Sequence, residues 1–121
     1  MTIIELFDKI KNHPDYDKAG MVLFHNGVVR GTSRDGRKVS GLKVKVDHEK
    51  LDLIIKEKRK TPGIVEILIH IFENKDLAVG DDVMYLVVAG DIRENVIETL
   101  HDTLNAVKSQ VTSKTEYFTE E

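Results

Sequence analysis

The chain contains no cysteine. That one absence excludes disulfides, thiolate metal sites and cysteine nucleophiles together. No apolar run approaches the roughly 18 residues of a membrane span, and acidic Glu5 and Asp8 stand where a secretory signal would carry its apolar stretch. A cytoplasmic protein is expected. An excess of charge of one sign is also missing: 18 basic residues face 21 acidic ones, a formal charge of -3. Nothing global attracts nucleic acid or an anionic membrane, so any anion site must be local. Gly27, Gly31 and Gly36 fit neither the P-loop nor the dinucleotide spacing, and Ser33 and Ser40 lack the context of a nucleophile elbow. The five histidines, His13, His25, His48, His70 and His101, form no helical i, i+4 pair. No metal site is expected, and His70, on an apolar run, reads as a hydrogen-bonded core histidine.

With 121 residues, 40% of them hydrophobic, the chain has the size of one domain, taken as 1–121, burying roughly two-thirds of its unfolded surface. Thr2 and Glu5 have capping-box spacing, and Ile3, Phe7 and Ile10 follow a helical period, which predicts a helix over 2–12 ended by Pro14. Strands are predicted over 20–29 and 39–46; in the second, Leu42, Val44 and Val46 alternate with Lys43 and Lys45. Asp47 caps a predicted helix to about 60, whose last turn is cationic, as suits a helix C-terminus. After Thr61-Pro62-Gly63, the run 64–72 reads as a central strand, 74–82 as a turn and 83–89 as another buried strand. Asp91 and Glu94 have capping-box spacing, and Ile92, Val96, Leu100, Leu104, Val107 and Val111 continue as the longest helix. Residues 112–121 read as a polar tail anchored by Tyr117 and Phe118. The order α, β, β, α, β, β, α indicates an α+β domain with a largely antiparallel sheet and three helices.

The remaining chemical signal is cationic. Gly27-Val28-Val29-Arg30-Gly31-Thr32-Ser33-Arg34-Asp35-Gly36-Arg37-Lys38-Val39 puts four cations between two predicted strands. Arg30, at a strand end, is the best-positioned anion ligand; Arg34, Arg37 and Lys38 flank the turn signal Asp35-Gly36 and read as a mobile solvated rim. Arg93 lies in a first helical turn, where a cation opposes the macrodipole at a cost of about 0.3–1 kcal/mol. A bound anion would reverse that penalty.

Gly27-Val28-Val29-Arg30 after an apolar strand, Val79-Gly80-Asp81-Asp82-Val83 before another, Arg93 opening the last helix and Lys108 fifteen residues later resemble the catalytic (large) subunit of molybdopterin synthase. The resemblance is strongest over 20–118. It implies an α/β hammerhead-like fold and a homodimer that binds two copies of a ubiquitin-like small subunit ending in Gly-Gly, a heterotetramer in all. The implied activity is a sulfurtransferase: the carrier's thiocarboxylate supplies sulfur to cyclic pyranopterin monophosphate, building the dithiolene of molybdopterin, with no bound metal or cofactor. A cysteine-free chain suits that scheme. By position, the resemblance makes Lys108 and Lys114 catalytic, the latter with the tail one residue shorter than in the family. It makes Arg30 and Arg93 substrate-binding, and it puts His25 and Ile92 at pocket positions where the family has phenylalanine and histidine. Arg93 and Lys108 are roughly 22 Å apart along a helix, so the implied site is shared between subunits. A second reading keeps fold and dimer but makes the chain a binding or regulatory module for a ubiquitin-like tail or another anionic ligand.

Overall fold

The computed structural model describes residues 1–119. Helix α1 (Ile3–Lys11) begins where the Thr2 hydroxyl accepts the Glu5 amide at 3.1 Å. A short 3-10 turn (Tyr16–Lys18) leads to β1 (Met21–Val28), β2 (Val39–Val46) and α2 (His48–Arg59). The Asp47 carboxylate caps α2, accepting the Lys50 amide at 3.2 Å. Then come β3 (Ile64–Ile71), β4 (Leu77–Ala78), β5 (Asp82–Gly90), α3 (Arg93–Gln110) and β6 (Thr112–Phe118). The result is an α+β domain with, among the described residues, three α-helices and wholly antiparallel pairing.

The strands divide into two three-stranded sheets, ordered β1-β5-β3 and β4-β2-β6. The inner face of β5 (Met84, Leu86, Val88) packs with Leu42 and Val44 of β2, Leu51 and Ile55 of α2, and Val96 and Val107 of α3. Its outer face (Tyr85, Val87, Ala89) is covered by Leu6 and Ile10 of α1. Burial on both faces explains why this strand is a continuous apolar run rather than an alternating one.

Three expectations are corrected. The central strand is β5; β3, equally apolar in sequence, lies at an edge. That edge is closed locally, because Arg59 donates to the Ile67 carbonyl at 2.9 and 3.3 Å, and Glu66 accepts the Ile67 amide at 2.8 Å. An ion pair of 2.7 Å ties Arg59 to Glu66. Asp91 does not cap α3: its amide is held by the Gly63 carbonyl at 2.8 Å, so its carboxylate binds Ile92 N at 2.7 Å and Asn95 Nδ2 at 2.9 Å, and Ile92 takes the cap position. Gly63, at φ 85°, makes that approach possible, since a Cβ there would lie 2.4 Å from the Asp91 carboxylate. Finally, residues 112–118 of the polar tail form a strand, paired to β2 from Val46↔Thr112 to Val39↔Phe118, while 120–121 lie outside the described residues.

Candidate functional site

A cavity of about 390 Å³ opens where the end of β1, strand β2, the last turn of α3 and the first residues of β6 meet. Its polar side chains include His25, Arg34, Lys108 and Lys114, set against Val28 and Met84, and no carboxylate among the described residues lines it. The fold delivers each cation by a different route. Lys108 sits in the last turn of α3, where the helix dipole favours positive charge. The chain then turns at Val111 into β6, whose pairing with β2 sets Lys114 opposite Val44. Lys114 has a long contact of 3.8 Å to Glu116. Among the described residues, the side chains of Lys108 and Arg34 have neither a hydrogen-bonded nor an ion-paired partner.

His25 lies opposite Leu86 in the β1–β5 register, which turns it toward the inner side of the sheet. Gly27 allows a close approach of Met84, because a Cβ there would be 3.2 Å from Met84 Cγ, while His25 Nε2 would lie at an ordinary contact of 3.6 Å. That nitrogen is buried without a hydrogen-bond partner among the described residues. Burial, and then the charge of Lys108, push the His25 pKa down. The ring is therefore held neutral at pH 7. Because the unfolded chain takes up this proton more readily than the folded one, His25 costs no stability above the ordinary histidine value of about 6.5, and destabilises as pH falls below it. NMR titration of the imidazole is expected to place its midpoint below that value, and Lys108→Ala to raise it part of the way back, since burial remains.

The structure gathers His25, Lys108 and Lys114 around one space and leaves Arg30, Arg93 and Ile92 outside it. Arg30 is exposed and its Nε donates to the Thr32 carbonyl at 2.8 Å. Arg93, also exposed, pairs with Glu94 at 3.1 Å at the far end of α3. Ile92 is 54% exposed beside it. Arg34, assigned from sequence to a solvated rim, is exposed and also lines the cavity. Its hairpin is ordered: Ser33 N donates to the Arg37 carbonyl at 2.9 Å, and the Ser33 hydroxyl contacts the Asp35 carboxylate. The Arg37 guanidinium lies over the Phe118 ring, 3.6 Å from its centroid. The signal that could have found this contact is the aromatic end of 112–118, which matters only once that segment is known to pair with β2.

A family model described as MoaE protein matches residues 3–110. Among solved structures, the chain is similar to molybdopterin synthase from Staphylococcus aureus, with a TM-score of 0.80 and 20% identity over 100% of this chain and 88% of that one. It is similar to molybdopterin cofactor biosynthesis protein E from Burkholderia multivorans ATCC 17616, with TM-score 0.75 and 17% identity over 98% of this chain and 86% of that one. It is also similar to a protein–protein complex of subunits 1 and 2 of molybdopterin-converting factor from Helicobacter pylori 26695, with TM-score 0.71 and 17% identity, covering 100% and 86%. At such identities the likeness is one of fold. No curated protein matches the sequence.

Proposed function

Because the chain belongs to the MoaE protein family, we propose that it is the catalytic subunit of a molybdopterin synthase. It takes sulfur from the C-terminal thiocarboxylate of a ubiquitin-like small subunit and delivers it to cyclic pyranopterin monophosphate, in two transfers that build the dithiolene. The observation that carries this reading is the cavity with Lys108 and Lys114 at its wall and, among the described residues, no carboxylate in its lining. Such a lining favours two anions that must meet, the tail of a carrier and a phosphate-bearing acceptor. With no cysteine in the chain, the sulfur has to arrive on the partner.

In this reading Lys108 receives the carrier's terminal carboxyl group and stabilises the charge that develops as sulfur attacks and oxygen is expelled. Lys114 serves as proton donor or second charge stabiliser, its contact with Glu116 being long and exposed enough to exchange for a ligand. Arg93 begins α3 and Lys108 lies in its last turn, so one chain cannot bring both to a small substrate. A homodimer in which Arg93 of the partner subunit completes each pocket removes that difficulty. Arg30 joins it on the substrate's phosphate and pterin oxygens by giving up its single hydrogen bond to Thr32. The Helicobacter pylori structure, a complex of subunits 1 and 2 of molybdopterin-converting factor in which the matched chain has this fold, supports a small-subunit partner.

The test is conversion of cyclic pyranopterin monophosphate to molybdopterin in vitro with a thiocarboxylated carrier. Turnover by the wild type is expected. Carrier binding by calorimetry without turnover would leave a binding module instead, and absence of both would reject the assignment.

A further inference from the structure

We propose that Arg34 is an oxyanion-binding residue of the cavity, presented by a hairpin that β6 holds in place through Arg37 and Phe118. The inference rests on the cavity being the ligand site and adds a residue to it that neither the resemblance nor the sequence pattern assigns.

Three observations carry it. First, Arg34 faces the same space as Lys108 and Lys114, and no carboxylate among the described residues lines that space. Like charges around one concavity repel unless an anion sits between them. Arg34 and Lys108, moreover, spend their charge on no protein partner among the described residues. Second, the hairpin is built rather than loose. Thr32 and Lys38 form a bridge, and Gly36 at φ 85° closes the turn with its amide on the Ser33 carbonyl at 3.0 Å. Ser33 is 8% exposed, and its hydroxyl accepts the Arg37 amide at 3.1 Å. From outside, Phe118 lies against the Arg37 guanidinium and Thr119 N donates to the Lys38 carbonyl at 3.0 Å. The loop is thus ordered before a ligand arrives, which lowers the entropic cost of binding. Third, Arg30 is turned back on its own loop by the Thr32 carbonyl and lies outside the cavity lining.

A guanidinium beside two ammonium groups suits a phosphate or a carboxylate, both of which accept paired N–H donors. The cavity volume, about 390 Å³, falls within the small-ligand range of roughly 300–1,000 Å³. The oxyanion can come from a phosphate ester or from the C-terminus of a carrier tail, and the test separates them.

The two probes are inorganic phosphate, followed by phosphorus NMR, and a synthetic hexapeptide ending in Gly-Gly, followed by calorimetry. Wild type, Arg34→Ala, Lys45→Ala and Phe118→Ala are compared, with circular dichroism confirming the fold of each. Arg34→Ala is expected to weaken at least one probe by about tenfold, and the probe that weakens identifies the source of the oxyanion. Lys45→Ala, at an exposed cation of β2 outside the cavity lining, should change either probe less than twofold, and Phe118→Ala should weaken the same probe as Arg34→Ala by a smaller factor. Unchanged binding of both probes to Arg34→Ala, or no binding of either to wild type, overturns the proposal. Turnover that survives alongside Arg34-independent binding rejects the role of Arg34 alone, whereas Arg34-dependent binding without sulfur transfer rejects the synthase reading alone.

Discussion

Replacing Lys108 with alanine is expected to lower the rate of molybdopterin formation by about a hundredfold or more, the usual effect of removing one preorganised charge stabiliser. The fold should be untouched, because the Lys108 side chain is exposed in the last helical turn and Val107 and Val111 do the packing there. Lys108→Arg is a sharper probe than it looks. It keeps the charge, but a planar fork replaces a compact ammonium, and recovery should be partial if the position of the charge matters. The His25 titration supplies a second readout at the same place, since the Lys108 charge is one of the two causes that lower its pKa. A variant whose rate is unchanged while the His25 midpoint rises would show that the ammonium was removed and that turnover did not need it.

Leu86→Ala should cost about 3 kcal/mol of stability, within the range of roughly 2–5 for truncating a buried leucine. Leu86 is fully buried in the middle strand of the first sheet, between His25 on β1 and Ile69 on β3. The loss should appear in urea unfolding as a lower midpoint at constant slope. Ile97→Ala, on a side chain 51% exposed on α3, should change the midpoint little and serves as control. Because Leu86 and His25 face each other across the ladder, the core variant should also disturb the His25 resonance; a stability loss below about 1 kcal/mol would mean that the site collapses around the missing atoms.

Local chemistry made much of this fold legible. Thr2 and Asp47 cap their helices as read, because a short polar side chain before an apolar period has few other uses. The error over β3 and β5 has a physical cause: both runs are apolar, and which becomes central depends on the second face that α1 covers, a tertiary fact absent from either segment. Strand β6 escaped notice because ladder hydrogen bonds to β2, rather than burial, hold most of it; Ser113, Lys114 and Thr115 are all exposed. The cavity was legible only in part. Lys108 and Lys114 came through resemblance, while Arg34 depends on a hairpin clamped by residues some eighty positions away in sequence. Spacing along the chain carries no record of such a contact.

The Arg59–Glu66 pair at the Ile67 peptide acts by exclusion. A bare strand edge is a template on which a foreign chain can continue the sheet. Here the template is stoppered midway along β3, by a side chain from the end of α2 that takes up the carbonyl a newcomer would need. Crowded neighbours are thereby denied a nucleus for sheet-to-sheet aggregation. A partner arriving as an extended strand is turned toward the other edges, and one of these, β6, carries Thr112 and Lys114 at the wall of the cavity.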